Sequence, residues 1–372
     1  MGTYLNDETR LMADTFPIRR VDHVRFLVGN AKQAAYYYHK VFGFDIVGYH
    51  GLETGLKHEV DWLLEQGNTR FLFTAPSRPG HPLADQLRLS GDGVMDVAFE
   101  VDDVDWAFNA AVERGAKPAK EPWTLRDSRG EVRLAAIHTY GETLHTFVNR
   151  DKFSGKFLPG FEDRDVRGHS VGIEEVDHVV GNVELGHMNV WVKFYEQVLG
   201  FTQLISFDDK DISTEYTALM SKVMANGNGR VKFPINEPAE GKKKSQIDEY
   251  LEFYGGAGVQ HIALLTHDII RTVTELRDRG IEFLRVPATY YEALPQRVGQ
   301  IDEAISELQD LGILVDRDEE GYLLQIFTKP VTDRPTLFYE IIERKGAKSF
   351  GKGNFKALFE AIEREQALRG TL

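Results

Sequence analysis

The sequence predicts an α+β fold made of two similar halves, each with two strand–helix–strands units that form an open, barrel-like sheet, and a helix at the C-terminus. Two internal repeats lead to this prediction. One links the segment around His23 to that around His178, and the other links the segment around Gly93 to that around Gly258. Because repeats define the architecture of the whole chain, they are stronger evidence for the fold than the secondary-structure propensity of any single segment. An apolar stripe at helical spacing near the end of the chain predicts the last helix.

Composition places the chain among globular proteins. Its 372 residues are 42% hydrophobic and 27% charged, enough for two domains that each bury a core. The absence of cysteine excludes disulfides, thiolate metal sites and a cysteine nucleophile. It fits a reducing compartment, and we expect a cytoplasmic protein. Residues 1–17 lack the apolar core of a secretory signal, and no apolar run approaches the roughly 20 residues that span a bilayer.

The net charge narrows the class of partner. A formal charge of −14 argues against nucleic acid and anionic membranes, because phosphate binding needs clustered lysine and arginine. The one basic run, at 241–246, is interpreted as a solvated loop. We therefore expect a small-molecule partner.

The first repeat begins with a strand that contains Val-Asp-His-Val and includes His23 in one copy and His178 in the other. An aromatic-rich helix follows and ends in Gly-Phe, which is typical of a helix C-cap that leads into a strand. The matched segments are 19–30 and 173–184 for the first strand, 34–47 and 191–204 for the helix, and 68–76 and 228–236 for the next strand.

The second repeat aligns residues 91–118 with 256–283. Each copy contains a strand, an aspartate at a helix start, an amphipathic helix and an Arg-Gly stop. In this alignment Asp96 takes the place of His261. The closing strands, 142–150 and 336–344, also match.

These matches set the predicted boundaries. The halves are 18–150 and 174–345, and the segment 151–173 is interpreted as a linker because it is rich in glycine and charge without periodicity. Residues 346–372 open with glycines and continue as an amphipathic helix. Its apolar face contains Phe355, Leu358, Phe359 and Ile362.

The strand at 256–266 carries His261 among apolar residues. Alone, this is typical of a core histidine with one hydrogen bond. The second half, however, also has His178 and Glu340 at equivalent places in apolar strands, and a buried unpaired carboxylate is costly. A metal ion would remove that cost. Two imidazoles and one carboxylate form a facial triad that suits Fe(II) and leaves positions open for substrate and O2.

The first half offers His23, Asp96 and Thr146 at the matching positions. Threonine is a poor ligand, so this half is predicted to hold no metal. A slip of one residue in the closing strand would replace Thr146 by His145, because side chains alternate between faces. The arginine shared near the ends of both closing strands favours the register with Thr146.

Three long segments carry a resemblance to a known family: 232–264, 318–344 and 349–366. With the paired modules, they resemble the vicinal oxygen chelate superfamily and, more narrowly, the 4-hydroxyphenylpyruvate dioxygenase family. The resemblance implies two tandem vicinal-oxygen-chelate domains of two βαβββ modules each. It also implies Fe(II) bound by His178, His261 and Glu340.

The resemblance further implies an activity. The substrates would be 4-hydroxyphenylpyruvate and O2, and the products homogentisate and CO2, in the degradation of tyrosine and phenylalanine. No separate 2-oxoglutarate would be needed, because the substrate carries its own 2-oxo acid and chelates the iron through it. We also expect a homo-oligomer, either a dimer or a tetramer.

A substrate pocket in the second half follows from the same resemblance. The hydrogen-bonding residues would be Ser221, Asn236, Gln246, Gln260 and Gln325. The residues enclosing the aromatic ring would be Pro234, Phe327, Phe338, Phe350 and Phe355, with the C-terminal helix as a lid. Phe338 equally fits plain core packing, and Gln246 also fits a solvated position. Gln260 would point to the strand face opposite His261 unless the strand is bulged.

Three alternatives remain. A 4-hydroxymandelate synthase would share iron, substrate and first step but hydroxylate the benzylic carbon. Within the family a phenylalanine at the position of Phe355 accompanies ring attack, which favours the dioxygenase. A non-catalytic binding protein of the superfamily would not need Glu340 to complete a triad. An extradiol ring-cleaving enzyme would share the triad, but the surrounding segments match the keto-acid enzyme.

Overall fold

The computed structural model describes residues 16–372. The prediction that residues 1–17 carry no secretory signal therefore falls, except for its last two residues, outside the described part. Within that part, no helix combines the length and the apolar character needed to cross a membrane.

The described chain contains strands and helices in the alternation that the repeats predict. The strands are β1 Ile18–Leu27, β2 Asp45–His50, β3 Glu59–Gln66, β4 Thr69–Pro76, β5 Gly93–Val101, β6 Pro118–Asp127, β7 Gly130–His138, β8 Leu144–Asn149, β9 Glu162–Val166, β10 Ile173–Asn182, β11 Thr202–Phe207, β12 Ala218–Ala225, β13 Lys232–Ala239, β14 Gly258–Thr266, β15 Leu314–Arg317, β16 Tyr322–Phe327 and β17 Phe338–Lys345. The α-helices are α1 Ala31–Tyr37, α2 Pro82–Ser90, α3 Val104–Glu113, α4 Met188–Leu199, α5 Gln246–Tyr254, α6 Ile269–Asp278, α7 Thr289–Glu292, α8 Leu294–Val298, α9 Ile305–Leu311 and α10 Lys352–Arg369.

The strands form two sheets, one for each half, and β9 from the segment 151–173 joins the edge of the first sheet. Their orders are β6-β7-β8-β5-β1-β4-β3-β2-β9 and β11-β12-β13-β10-β14-β17-β16-β15. In each sheet the first strands of the two modules pair antiparallel at the centre, and each pairs in parallel with the last strand of its own module. This arrangement confirms the predicted α+β fold of two double-module halves.

The register of the closing strands agrees with the alignment that contains Thr146. Asp96 of β5 pairs with Leu144 of β8, and His261 of β14 pairs with Phe338 of β17. Thr146 and Glu340 each lie two residues further along, so they occupy equivalent positions. The imidazole of His145 instead lies 2.9 Å from the carbonyl of Val97 and 2.8 Å from the hydroxyl of Tyr195.

The two halves share one hydrophobic core. A single buried cluster includes Phe26, Phe71 and Phe73 of the first half and Tyr339 of the second. The hydroxyls of Tyr339 and Tyr38 lie 2.8 Å apart across the boundary. The halves therefore stabilise each other.

Candidate metal centre

Three neighbouring strands of the second sheet bring His178, His261 and Glu340 together. They lie on β10, β14 and β17 and are at most 3% exposed. Glu340 Oε2 lies 3.1 Å from His178 Nε2 and 3.5 Å from His261 Nε2. Their candidate ligand atoms all lie within 4.8 Å of one another. The donor set fits a divalent metal of the iron type, because it combines two imidazoles and one carboxylate on one side of a shared centre.

A β-bulge precedes each of the two histidines. The pairing of β10 with β14 skips Asp177 before His178 and Gln260 before His261. In a regular strand neighbouring side chains point to opposite faces, so each bulge turns the preceding side chain toward the ring that follows it. Asp177 Oδ1 lies 2.7 Å from His178 Nδ1, and Gln260 Oε1 lies 3.0 Å from His261 Nδ1. Both acceptors hold a proton on Nδ1, so Nε2 is the nitrogen that faces Glu340 and that would bind a metal.

The carboxylate that holds His178 is itself held by cations. Asp177 accepts two hydrogen bonds from the guanidinium of Arg344, at 2.7 and 2.8 Å, and lies 3.5 Å from Lys232 Nζ. Burial acts to raise the pKa of Asp177, but the charges of Arg344 and Lys232 lower this pKa well below its ordinary value. Asp177 is therefore an anion at neutral pH.

Glu340 is also ionised, and one of its oxygens is already occupied. Burial acts to raise the pKa of Glu340, but the charge and hydrogen bond of His178, with a smaller effect of His261, lower it to about 2. Oε1 accepts a hydrogen bond of 2.8 Å from Gln325 Nε2. This contact leaves Oε2 as the oxygen that faces the histidines.

The first half keeps the first histidine and the aspartate–arginine pair behind it, but not the other two ligands. Asp22 Oδ1 lies 2.5 Å from His23 Nδ1 and 2.7 Å from Arg150 Nη2, as in the second half. At the two other ligand positions, the backbone N–H and the hydroxyl of Thr146 both donate to Asp96. Within residues 16–372, no group of three potential metal ligands forms around His23.

The triad lies in the wall of a small cavity. Among the residues predicted for the substrate, those that line this cavity are Ser221, Pro234, Gln325, Phe327, Phe350 and Phe355. Apolar side chains that were not predicted for the pocket complete the wall: Val180, Phe207, Val223 and Leu358. The cavity therefore combines a metal site with aromatic walls, as an aryl ligand requires.

Four other predicted residues lie elsewhere. Gln246, Gln260 and Phe338 line a second cavity, and Phe338 stacks on the ring of His261 with 4.7 Å between centroids. Asn236 is buried on β13 beside Ser221, its register partner on β12.

Three of the predicted hydrogen-bonding residues have a buried polar atom without a partner within the described residues. These atoms are Ser221 Oγ, Asn236 Oδ1 and Gln246 Oε1. Buried polar atoms in folded proteins are nearly always hydrogen-bonded, so each unpaired atom calls for a ligand or a water molecule.

Sequence reasoning missed Asp177 and Arg344 as functional residues. The sequence could have indicated both residues, because the aspartate of Val-Asp-His-Val and the arginine of the closing strand are repeated in the two halves. It also missed a repeated aromatic contact: Phe157 packs edge-on against His23 at 5.0 Å, and Phe350 packs the same way against His178 at 4.9 Å.

Comparison with known proteins agrees with this geometry. The sequence profile of the Glyoxalase/Bleomycin resistance protein/Dioxygenase superfamily matches residues 20–137 and 175–326. The chain is 49% identical to 4-hydroxyphenylpyruvate dioxygenase of Yarrowia lipolytica, over 95% of this chain and 94% of that protein. The enzyme of the same name from Dictyostelium discoideum is 48% identical, over 94% and 99%. Among solved structures, a mutant 4-hydroxymandelate synthase from Streptomyces coelicolor superposes with a TM-score of 0.84 at 32% identity, covering 94% of this chain and 99% of that one.

Proposed function

The chain belongs to the 4-hydroxyphenylpyruvate dioxygenase family of the Glyoxalase/Bleomycin resistance protein/Dioxygenase superfamily, and on that basis we propose that it converts 4-hydroxyphenylpyruvate and O2 to homogentisate and CO2. The observation that carries the proposal is the buried triad of His178, His261 and Glu340 in the wall of a phenylalanine-lined cavity.

We propose Fe(II) as the metal that the triad holds. Bound there, it supplies the redox chemistry that couples loss of CO2 from the 2-oxo acid to hydroxylation of the ring. His178, His261 and Glu340 all come from one sheet and would hold the metal at the wall of the cavity, where a substrate could reach it. The anion of Glu340 and the fixed Nε2 atoms of the histidines give the metal a preorganised site.

The remaining cavity residues bind and orient the aromatic acid. Phe327, Phe350 and Phe355 enclose the ring and exclude water, which prevents side reactions of a reactive site. The unpaired Ser221 Oγ offers a hydrogen bond to a polar end of the substrate, and Asn236 is its neighbour across the strand pair. Gln246 and Gln260, which line the second cavity, would extend the pocket on that side, while Gln260 Oε1 keeps its contact with His261.

The activity has a direct test. Aerobic incubation of the protein with Fe(II) and 4-hydroxyphenylpyruvate is expected to consume one O2 per substrate and release homogentisate and CO2 without added 2-oxoglutarate, since the substrate brings its own 2-oxo acid. Chromatography of the products and an oxygen electrode measure this. Absence of iron-dependent O2 uptake would contradict the enzyme proposal, and 4-hydroxymandelate as the main product would contradict the choice of subfamily.

Phe355 distinguishes the dioxygenase from the mandelate-forming alternative. It lines the triad cavity and stacks on Phe207, with 5.4 Å between centroids and 12° between planes. Phe355→Ile should open space beside the benzylic carbon and divert part of the product to 4-hydroxymandelate, measured as the ratio of the two products. Phe359→Leu is the matched control, because Phe359 packs one turn further along α10 and does not line the cavity. Equal ratios in both variants would mean that Phe355 does not direct the hydroxylation.

We propose for the chain the domain boundaries that were predicted from the sequence, each with a separate role. Residues 18–150 would form a domain without metal, 151–173 a linker, 174–345 the catalytic domain and 346–372 the lid. A homo-oligomeric state and a cytoplasmic location stay predictions, which sedimentation and cell fractionation can test.

A further inference from the structure

A directed chain of hydrogen bonds runs from the metal ligand Glu340 to the C-terminal helix. Gln325 Nε2 donates to Glu340 Oε1 at 2.8 Å, and Asn354 Nδ2 donates to Gln325 Oε1 at 2.8 Å. A carboxylate can only accept, so Gln325 must turn its NH2 group toward Glu340. Its carbonyl oxygen then faces Asn354, which must donate. The opposite orientation of the Asn354 amide would suit Val315 and Asp316 but would bring two amide oxygens to 2.8 Å from each other, so the contact with Gln325 decides the orientation. The charge on Glu340 thus sets the orientation of both amides.

Asn354 is held firmly at the start of α10. It is fully buried, and its Oδ1 lies 2.7 Å from the hydroxyl of Tyr290. The helix starts after Gly351, whose φ is +64°, and a Cβ there would lie 3.1 Å from Gln325 Oε1. The N–H of Gly353 donates to Asp316 Oδ2 at 2.6 Å. The first turn of α10 is therefore seated directly on β15 and β16.

We propose that Asn354 is a positioning residue that links the seating of α10 to the orientation of the Glu340 carboxylate, so that metal binding and closure of the helix stabilise each other. When the first turn leaves its seat, Gln325 loses the donor that fixes its amide. Glu340 is then free to rotate, and Oε2 no longer faces the histidines. Coupling of this kind is reciprocal: whatever the closed helix adds to metal affinity, the metal adds to closure of the helix.

Because α10 also contributes Phe355 and Leu358 to the cavity wall, the coupling would join the metal site to the covering of the substrate. The inference depends on the proposed function only in requiring a divalent metal at the triad.

The test uses Fe(II) alone, under anaerobic conditions, with the full-length protein. In the unmodified protein Fe(II) should slow hydrogen exchange of the amides of α10. In Asn354→Leu the affinity for Fe(II) should fall by up to about 10–100-fold, the loss that is typical when a residue in direct contact with a metal ligand is removed, because Gln325 transmits the effect to Glu340. Fe(II) should then no longer slow exchange in α10. Competition with a chelator measures the affinity.

The same helix supplies a matched control. Gln366 is fully buried, and within the described residues both polar atoms of its side chain lack a partner. Gln366→Leu removes an amide of the same helix and should leave Fe(II) affinity and its effect on exchange unchanged. Should Asn354→Leu fail to fold, Asn354→Asp keeps the size and replaces the donor by an acceptor, with the same expected losses.

Fe(II) affinity and metal-dependent exchange in Asn354→Leu or Asn354→Asp equal to those of Gln366→Leu would overturn the coupling. Neither readout involves the substrate. A protein that shows the coupling but forms no homogentisate would contradict the proposed function alone.

Discussion

His178→Ala is expected to abolish iron binding and turnover, whereas His23→Ala should retain stoichiometric iron and most of the activity. Both histidines lie in Val-Asp-His-Val strands, are buried and are held by a preceding aspartate. Either substitution removes a buried ring, so each should lower the free energy of unfolding by about 1–3 kcal/mol. Only the loss of His178 leaves the metal with two protein ligands. Its affinity should then fall by well over the roughly 10–100-fold seen when a supporting residue is lost.

Metal analysis and O2 uptake on the two purified variants decide this prediction, with thermal unfolding as the measure of stability. The variants serve as controls for each other, because strand, neighbouring aspartate and burial match. If His23→Ala loses iron to the same degree as His178→Ala, the difference between the halves is wrong, and the assignment of the metal site fails with it.

The second large effect, on stability and on iron affinity, is expected when the aspartates that precede His178 and His23 are replaced. Asp177→Leu should lower the free energy of unfolding by about 3 kcal/mol, because it leaves the partly buried Arg344 without its carboxylate partner. Asp22→Leu should cost about as much through Arg150, which pairs with Asp22 in the same way. Iron affinity should fall by about 10–100-fold in Asp177→Leu alone, since only that aspartate orients a metal ligand.

The pH dependence of this stability effect has a definite sign. The pKa of Asp177 is lowered in the folded protein, so its stabilising contribution is present above the pKa of an unfolded aspartate and is lost as the pH falls toward the folded value. The difference in unfolding free energy between Asp177→Leu and the unmodified protein should thus be constant around neutral pH and shrink in acid. Denaturant titrations at several pH values measure it. A difference that grows in acid, or an equal loss of iron in Asp22→Leu, would contradict the account.

The ligands of the candidate metal site could be predicted from the sequence because duplication supplied an internal alignment. His178, His261 and Glu340 stand at equivalent places of their modules, and the buried carboxylate among apolar residues called for a partner. The sequence could not predict that the side chain of Gln260 turns toward His261, because a one-residue bulge leaves the apolar pattern of the strand almost unchanged. It is visible only in the pairing of β10 with β14.

Other features depend on tertiary contacts that periodicity does not report. The strand β9 consists of Glu162–Val166, whose charged residues give no strand pattern, and it exists through edge pairing with β2. Gln325 was expected to meet the substrate, yet in this structure both ends of its amide are engaged by Glu340 and Asn354. Asn354 is separated from Gln325 in sequence by the whole of β17. Its contact with Gln325 therefore becomes visible only when α10 is packed against β15 and β16.

The paired aspartate and arginine behind His23 also bear on how such a protein can be redesigned. Their ion pair helps to hold the first sheet together whether or not a metal is bound beside it. The first half lacks only two side chains of a complete triad, at the positions of Asp96 and Thr146. The bulge and the register of its backbone already match those of the second half. The double substitution Asp96→His and Thr146→Glu would therefore add the two missing ligands to a half in which Asp22 already orients His23.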